Sequence, residues 1–259
     1  MKQKVMKALK RIESAQNPTY KEWHKLLRRK SREKAGLYLI EGPHLVGEAL
    51  KEPGVVHTLI FNESKAYKEW DEYDIPKIQL TDSLFQKLST TETPQGVLAV
   101  CRLQSVAPPE TAKRFLLIDR VQDPGNLGTL IRTADAAGMD AVYLGAGTVD
   151  LYNQKTLRSA QGSHFHLPVV QQPLEQVLED LKKKGIPIIG TSLNGQRLED
   201  IEGPMASAFA LIVGNEGEGV HPDILAMTDM NVKIPIFGRA ESLNVAVAAG
   251  ILMYRLRGI

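Results

Sequence analysis

The fold is decided by two stretches of the sequence, LIVGNEGEG at residues 211–219 and NVKIPIFGRAESLNVAVAAGILMYRL at residues 231–256. Each predicts an apolar strand, Leu211–Val213 and Val232–Ile236, that breaks into a glycine-containing loop, and a long helix follows from Leu243 to about Arg257. Glycine lets the backbone approach a ligand closely, and ligands of open α/β sheets bind at the carboxyl ends of strands. GNEGEGV alone would fit an ordinary turn equally well, but its pairing with SLNVAVAAG favours a ligand site.

Strands and helices alternate upstream of these two stretches. A buried strand is predicted at Phe115–Ile118, followed by a loop and a helix from Leu127 to about Ala137 whose N-cap would be Asn126. A later strand, Ile186–Ile189, breaks into a third loop with glycine and asparagine at residues 190–195. Such alternation is typical of a parallel sheet covered by helices on both faces, so the predicted fold class is α/β.

The sequence predicts three parts: a separate, smaller α/β unit at residues 1–105, a proline-stiffened linker at residues 106–112, and a second unit at residues 113–259. Residues 1–34 carry 12 lysines and arginines against three glutamates, a balance of +9 in a chain whose net charge is +2. This block of charge predicts a polyanionic partner, RNA or DNA before a membrane, although a solvated helix face would look the same. The candidate contacts belong to the second of two short helices, which Asn17-Pro18 separates: Lys21, Lys25, Arg28, Arg29, Lys30 and Arg32.

The sequence disfavours several classes of protein. A single cysteine, Cys101, leaves no intramolecular disulfide and no cysteine cluster for a metal. His164 and His166 are predicted on an extended run, where they would point to opposite faces, so no metal site is expected. No window offers the roughly 18 apolar residues of a membrane span, and the N-terminus has no apolar signal core, so a cytoplasmic protein is predicted. Dinucleotide oxidoreduction and nucleotide hydrolysis are disfavoured because their glycine-rich phosphate-binding motifs are missing.

The three predicted loops could together enclose a cofactor, with an adenine held by backbone groups against an apolar wall. Arg132 lies nearly two helical turns after Asn126, where an arginine can form a bidentate contact with a phosphate or a carboxylate. An ordinary surface arginine is the alternative interpretation. Ser242 has no obvious histidine partner, which makes it a poor nucleophile and a more typical turn or cap residue.

Three segments in register resemble the signature motifs of one family. They are DPGNLG at residues 123–128 with Arg132-Thr133-Ala134, VGNEGEG at residues 213–219, and IPI at residues 234–236 with SLNV at residues 242–245. These motifs resemble those of the SpoU (TrmH-type) RNA 2′-O-ribose methyltransferases, members of the SPOUT superfamily, and the resemblance covers residues 113–259. Residues 1–105 resemble, through Gly42-Pro43 and Gln95-Gly96-Val97, the ribosomal-protein-like RNA substrate-binding domain found in many members.

The resemblance implies a parallel-sheet methyltransferase domain whose C-terminal part forms a deep trefoil knot. It implies S-adenosylmethionine as the cofactor, bound by Thr191, Ser192, Leu193, Asn194, Gly214, Asn215, Glu216, Gly217, Ile234, Ile236, Leu243 and Asn244. It implies catalytic roles for Asn126, Arg132, Glu216, Ser242 and Asn244. Family members are dimers, so a homodimer is also implied, in which the last helix would pack closely through Ala246, Ala248, Ala249 and Gly250.

The implied reaction is methyl transfer to a ribose 2′-hydroxyl of RNA, with 23S ribosomal RNA and guanosine favoured. The mechanism proposed for the family makes the arginine at position 132 a general base. Because guanidinium groups keep their proton in proteins, we expect Arg132 instead to hold the adjacent phosphate and orient the hydroxyl. A tRNA methyltransferase of the same family is the alternative, and a catalytically silent RNA-binding module and an oxidoreductase are the alternatives from other classes.

Overall fold

The computed structural model describes residues 10–65, 70–197 and 207–258. The chain divides into two compact units, with the boundary between Gln104 and Ser105. Residues 1–9, which hold part of the predicted basic segment, lie outside the described residues. Each unit is built around its own sheet and its own apolar core.

In the described residues, the first unit is a mixed five-stranded sheet with helices packed against it. Its elements, in chain order, are β1 (Lys10–Ile12), α1 (Pro18–Lys25), α2 (Arg29–Ala35), β2 (Leu37–Glu41), α3 (Pro43–Lys51), β3 (Val56–Asn62), β4 (Lys77–Leu80), α4 (Asp82–Leu88) and β5 (Val97–Arg102). The strand order is β1-β4-β3-β5-β2, with β5 antiparallel to both of its neighbours. The sequence predicts a helix before Asn17, but Lys10–Ile12 is a strand because it pairs in parallel with β4.

The helix α1 buries one face and exposes the other. Tyr20, Trp23 and Leu26 recur at helical spacing and are buried in the core that also contains α4. Lys21 and Lys25 lie on the opposite, exposed face. The predicted arrangement of an apolar stripe beneath a basic surface is therefore confirmed for this helix.

The described part of the second unit is a six-stranded sheet with helices on both faces. Its elements are β6 (Arg114–Ile118), α5 (Pro124–Ala136), β7 (Ala141–Leu144), α6 (Gln154–Ala160), α7 (Ser163–His166), β8 (Val169–Gln171), α8 (Leu174–Lys183), β9 (Ile188–Arg197), β10 (Phe209–Val213), α9 (Pro222–Leu225), β11 (Met230–Lys233) and α10 (Val245–Leu256). The strand order is β11-β9-β10-β6-β7-β8, and every pair is parallel. The predicted parallel α/β sheet is confirmed.

The strand β6 shows how this sheet is buried from both sides. Leu116 and Ile118 lie in the core that includes α5 and α10, whereas Phe115 and Leu117 lie in the core that includes α8. Successive residues of a strand point to opposite faces, so a run of apolar residues without alternation requires a helix layer on each face. The continuous apolar sequence of β6 is thus explained by its central position.

The helix α5 begins earlier than the sequence predicts, because Asp123 rather than Asn126 is its N-cap. The Asp123 Oδ1 atom accepts a hydrogen bond from the backbone N–H of Asn126 at 2.9 Å, and Pro124 occupies the first helical position, where no donor is needed. The Lys155 ammonium, 2.8 Å from Asp123 Oδ2, and the Asn126 N–H hold the pKa of Asp123 below its ordinary value. The prediction of Asn126 as the cap is therefore wrong, and its side chain is available for other contacts.

The strand β9 runs through the loop that the sequence predicts at residues 190–195. Its pairing with β11 changes register, from Asn231 with Gly190 to Val232 with Gln196, so that residues 191–195 lie between the two registers. The other predicted strand of the C-terminal stretch ends early, since β11 stops at Lys233 and residues 234–236 belong to the following loop. Residues 191–195 within β9 and residues 234–236 after β11 are therefore irregular backbone.

The helix α10 has a small-residue face and an apolar exposed face. Its N-cap is Asn244, whose Oδ1 accepts from the backbone N–H of Ala246 at 2.9 Å. Ala246 and Ala249 are buried in the core of their own unit, and a methyl group on Gly250 would lie 3.4 Å from Thr133 of α5. Ala246 and Ala249 therefore pack within the chain, whereas Ala248 and Gly250 are half-buried, and a role of these small residues in a dimer contact stays a prediction. The outward face instead carries Val247, Ile251 and Tyr254, which are 52%, 42% and 39% exposed.

Candidate active site

A cavity of about 640 Å³ opens at the carboxyl ends of β9, β10 and β11. Its walls are residues 191–193 of β9, the loop after β10 (residues 214–219, the β10 loop), the loop after β11 (residues 234–243, the β11 loop) and the first turns of α10. Every cofactor residue predicted from the resemblance lines this cavity except Asn194. The structure therefore brings together loops that lie far apart in the sequence.

Apolar residues that the sequence analysis did not assign to the cofactor complete the wall. Val220 and Leu225 line the cavity beyond the β10 loop, and Val245, Ala248 and Leu252 line it from α10. The three residues on α10 recur at helical spacing within the stretch SLNVAVAAGIL, which is the signal that could have found them. Val220 and Leu225 carry no such signal in the sequence.

Two asparagines and a glutamate connect the three motif segments. The Asn126 side chain on α5 donates from Nδ2 to Glu216 Oε1 at 3.0 Å. The Asn126 Oδ1 atom accepts from Nδ2 of Asn244 at 2.9 Å. Asn244 in turn caps α10 through its own Oδ1 atom. This connection fixes the orientation of both side-chain amides, because each of their oxygens and nitrogens has at least one defined partner.

Glu216 is held as a carboxylate by the donors around it. Its Oε1 also accepts from the backbone N–H of Asp123 at 3.1 Å, and its Oε2 accepts from the backbone N–H of Gln122 at 3.2 Å. Burial acts to raise the pKa of Glu216, but the hydrogen bonds from Asn126, Asp123 and Gln122 together outweigh it and leave the pKa below its ordinary value. The group is therefore ionised at neutral pH.

The β10 loop is closed by its own hydrogen bonds. The backbone N–H of Asn215 donates to the Gly219 carbonyl at 3.0 Å, and the Gly219 N–H donates back to the Asn215 carbonyl at 2.9 Å. The Asn215 Oδ1 atom accepts from the N–H groups of Gly217 and Glu218 at 2.9 and 3.1 Å. A methyl group on Gly214 would lie 2.1 Å from the backbone nitrogen of Val220, so the loop has room only for glycine there.

Arg120 holds the β10 loop from the end of β6. Its Nη1 donates to Glu218 Oε2 at 2.6 Å, its Nη2 donates to the Gly219 carbonyl at 3.4 Å, and its own carbonyl accepts from Asn215 Nδ2 at 3.0 Å. The hydrogen bond that Arg120 donates to Glu218 raises the pKa of Arg120 above its ordinary value. Its φ of 56° lies in the left-handed region, which a residue with a side chain rarely adopts. Sequence reasoning missed this residue, because nothing in the pattern marks an arginine for that conformation.

Arg132 and Ser242 are both exposed beside this framework. Arg132 is on the solvent side of α5 and does not line the cavity. Within the described residues it makes no hydrogen bond or ion pair, so its five donors are available. Ser242 lines the cavity in the β11 loop. Of the five predicted catalytic residues, the structure thus joins Asn126, Glu216 and Asn244 by hydrogen bonds and leaves these two open.

Most of the predicted RNA contacts of the first unit are exposed. Lys21, Lys25, Arg28, Arg29 and Lys30 are at the surface. Arg32 is only 5% exposed, and its Nη1 donates to the Leu26 carbonyl at 2.9 Å. The prediction that Arg32 contacts RNA is therefore wrong, because this guanidinium faces the interior of the first unit.

His164 and His166 lie on the single turn of α7, which corrects the predicted extended run. Desolvation of His164, together with the charge of His166, lowers its pKa to about 3. In residues 10–65, 70–197 and 207–258 no group of three or more His, Cys, Asp or Glu side chains could hold a metal ion. Over the same described part of the chain, the helices are too short or too polar to cross a membrane.

Comparison with known proteins places the chain in a family. Residues 113–254 match the SpoU rRNA Methylase family, and residues 17–99 match the MRM3-like substrate binding domain. The chain belongs to the SpoU rRNA methylase family. The predicted resemblance is confirmed.

Several known methyltransferases resemble the chain over nearly its whole length. The 23S rRNA (guanosine(2553)-2′-O)-methyltransferase RlmP of Bacillus subtilis is 52% identical over 254 residues, which cover 96% of this chain and all of that protein. The AdoMet-bound rRNA methyltransferase of Sinorhizobium meliloti has a TM-score of 0.86 and 28% identity, and the match covers 96% of this chain and 98% of that one. The SpoU methyltransferase AviRb of Streptomyces viridochromogenes, in complex with AdoMet, has a TM-score of 0.83 and 29% identity. That match covers 93% of this chain and 97% of AviRb.

Proposed function

We propose that this SpoU-family chain transfers a methyl group from S-adenosylmethionine to a ribose 2′-hydroxyl of 23S ribosomal RNA in the cytoplasm, with a guanosine as the target nucleotide. The observation that carries the proposal is the connection Asn244–Asn126–Glu216, which joins the three motif segments at the cavity. The choice of a 23S guanosine is supported by the relative RlmP.

The cavity suits S-adenosylmethionine in size and in chemistry. Its volume of about 640 Å³ falls within the range of about 300–1,000 Å³ that is typical of ligand cavities. Leu193, Ile234 and Ile236 offer an apolar wall for an adenine, and the carboxylates of Glu216 and Glu241 match a cationic ligand. When bound, this cofactor supplies an electrophilic methyl group on a positively charged sulfur.

The framework residues orient the substrate hydroxyl. Because Glu216 is ionised, it accepts from Asn126 Nδ2, and this leaves Asn126 Oδ1 to accept from Asn244. Asn244 is thereby held at the start of α10, two residues after Ser242, and both residues line the cavity. The Ser242 hydroxyl can donate to or accept from a ribose 2′-hydroxyl placed there. The nucleophile is then held in line with the methyl group, which is the contribution expected from positioning.

Arg132 is proposed to hold the phosphate next to the reacting ribose. Its exposed guanidinium suits a bidentate phosphate contact and does not suit proton removal. We expect Arg132→Lys to lower kcat by about tenfold to a hundredfold, because a lysine keeps the charge but loses the bidentate geometry. The substitution should lower the rate by the same factor at every pH, so that the pH profiles of the wild-type enzyme and the variant have the same shape. Substantial retained turnover in the lysine variant would argue against the bidentate contact. A pH profile that changes on mutation would support Arg132 as the general base.

The second unit is proposed to contain a trefoil knot within residues 211–256. The β10 loop, the β11 loop and α10 all border one cavity, and α10 returns to pack on α5, a helix that precedes them in the chain. Family membership supports the same topology. A crystal structure in which α10 reaches α5 without passing through an earlier loop of the chain would contradict this part of the proposal.

The enzyme is proposed to be a homodimer that uses the exposed face of α10. Val247, Ile251 and Tyr254 recur at helical spacing and form an apolar stripe on this face. Ile251→Glu should convert the dimer to a monomer in sedimentation velocity. The matched control is Val106→Glu, since Val106 has a similar exposure of 46% but lies in the linker. A monomeric wild-type protein would disprove the dimer.

Mapping of ribose methylations on total RNA tests the activity. We expect a strain without the gene to lose one 2′-O-methyl guanosine from 23S RNA, and to regain it with the wild-type gene but not with Arg132→Ala. Loss of a tRNA site instead would support the tRNA alternative. An unchanged methylation map would contradict the proposed function, and calorimetry showing no binding of S-adenosylmethionine would favour the silent RNA-binding module.

A further inference from the structure

Phe237 is the most exposed large apolar side chain in the described residues. It is 88% exposed, against 71% for Leu193. Its place on the β11 loop is at the rim of the cavity, because Ile236 and Glu241 on either side of it line the wall while Phe237 itself does not. An exposed phenylalanine at the mouth of a site is a candidate for contact with whatever enters that site.

Apart from Val106 in the linker, the other exposed large apolar residues of the second unit have an assigned place. Leu193 and Leu243 line the cavity and would be covered by the cofactor. Val247, Ile251 and Tyr254 form the outward stripe of α10. Phe237 belongs to neither group, so neither the proposed cofactor nor the proposed dimer contact accounts for it.

The surrounding segment is open and carries one arginine, while its one carboxylate, Glu241, lines the cavity. Within the described residues, none of residues 237–243 makes a hydrogen bond or an ion pair. Arg239 is exposed two residues after Phe237, and a methyl group added to Gly238 would meet nothing within 4 Å. An aromatic ring and a guanidinium are thus presented together to the solvent.

We propose that Phe237 stacks on an unpaired nucleobase of the RNA substrate, at or next to the methylated nucleotide, and that Arg239 pairs with a neighbouring phosphate. This inference rests on the proposed function, because the reacting ribose must reach Ser242 on the same loop. A base is attached to its ribose by one bond, so it must lie near the cavity mouth. Proteins commonly hold unstacked bases of RNA on aromatic side chains and on arginine.

RNA is favoured over a second protein chain as the occupant of this rim. The substrate hydroxyl has to enter past the β11 loop, whereas the apolar stripe of α10 already offers a separate surface for a second copy. Arg239 beside the ring matches the phosphate that accompanies every base. The loop also lacks internal hydrogen bonds that would hold it in one conformation for a rigid protein contact.

The test compares Phe237→Ala, Phe237→Leu and Phe237→Trp in the full chain. The probes are total RNA from the deletion strain and S-adenosylmethionine with a labelled methyl group. Alanine and leucine should each lower kcat/KM for RNA by about tenfold to a hundredfold, the loss expected for one base–aromatic contact, and tryptophan should recover most of it. The affinity for S-adenosylmethionine and the sedimentation coefficient should stay unchanged. Val106→Ala, which alters an exposed apolar residue away from the cavity, should have no effect.

The second arm replaces Arg239 with alanine. The affinity for RNA should fall for every RNA sequence tested. The slope of log Kd against log salt should decrease by about one, which is the contribution of one phosphate contact. Full activity of Phe237→Ala would overturn the inference. A loss of activity in Phe237→Ala with full activity in Phe237→Leu would also overturn it, because leucine has no ring to stack on a base. A changed sedimentation coefficient in Phe237→Ala would point to a second copy instead. A wild-type enzyme that binds S-adenosylmethionine but methylates no RNA would show that the proposed function itself is wrong.

Discussion

The β10 loop and the β11 loop border the same cavity, but they are held in different ways. Asn215, Gly217, Glu218 and Gly219 tie the β10 loop to itself, and Arg120 ties it to the end of β6. Residues 237–243 of the β11 loop have no hydrogen bond or ion pair within the described part of the chain. One loop is ordered before any ligand arrives, and the other keeps its polar and aromatic groups available.

This difference assigns different tasks to the two loops. A loop that already satisfies its own backbone groups loses little further entropy when a ligand binds, so it suits a cofactor that is used in every cycle. A loop with open groups can adapt to a large and irregular partner such as folded RNA. Mutations that act on stability should therefore concentrate in the β10 loop, and mutations that act on RNA use in the β11 loop.

The largest effect on stability is expected from Gly214→Ala in the β10 loop. The new methyl group would lie 2.1 Å from the Val220 nitrogen and 2.2 Å from the Gly219 carbonyl carbon, and backbone atoms cannot rotate away as a side chain does. We expect the free energy of unfolding to fall by about 3 kcal/mol, measured by urea denaturation. Gly238→Ala is the matched control in the β11 loop, where nothing lies within 4 Å, and equal losses in both variants would contradict the comparison.

A smaller loss, of about 1–2 kcal/mol at neutral pH, is expected from Glu216→Gln. Glutamine retains one oxygen acceptor, so its N–H₂ group faces either the Gln122 donor or the two donors of Asn126 and Asp123. The effect should depend on pH. The pKa of Glu216 is lowered from 4.5 in the folded chain, so its stabilisation is complete above that value and is lost as the pH falls through the folded pKa.

Urea denaturation of both proteins between pH 7 and pH 3 measures this dependence. The difference between wild type and Glu216→Gln should be constant at neutral pH and should shrink toward acid. A difference that grows as the pH falls would mean that the carboxylate destabilises the fold. Glu218→Gln is the control, because Glu218 is in the same loop and its carboxylate accepts from Arg120 rather than from Asn126.

Glycine and asparagine after apolar strands predicted the loops that border the cavity, and the family resemblance predicted the individual residues. The sequence predicted the wrong N-cap for α5 because two nearby residues could both cap the helix. Asp123 and Asn126 are both good N-caps, and only the position of Pro124 distinguishes them. The prediction that Arg32 contacts RNA was wrong for another reason. Charged residues are rarely buried, and no sequence pattern marks the few that are. The contacts among Asn126, Glu216 and Asn244 join residues about 90 and 118 positions apart, and no local signal fixes such distances.

A difference of about 1 kcal/mol is expected between two substitutions of Arg120. Arg120→Gly and Arg120→Ala both remove the ion pair with Glu218, but only glycine relieves the positive φ of 56°. The glycine variant should be the more stable of the two. Both should bind S-adenosylmethionine about twofold to fivefold more weakly by calorimetry, because the loop loses an exposed ion pair.

The control for Arg120 is the second residue with a side chain and a positive φ in the described chain, Gln161, at 51°. Gln161→Gly should also be more stable than Gln161→Ala by a similar amount, since the backbone argument is the same. Neither should change the affinity for S-adenosylmethionine, because Gln161 does not line the cavity. Equal stability of the glycine and alanine variants at both positions would mean that the left-handed conformation carries no cost here.

The smallest effect on stability is expected from Phe237→Ala. A side chain that is 88% exposed buries little surface in the folded chain, so its removal should change the free energy of unfolding by less than about 0.5 kcal/mol. Thermal and urea denaturation should leave this variant indistinguishable from wild type even where its use of RNA is impaired. A clear loss of stability would mean that the ring is packed against the protein in solution, and the β11 loop would then be as preordered as the β10 loop. Unchanged stability with impaired RNA methylation is the combination that the difference between the two loops requires.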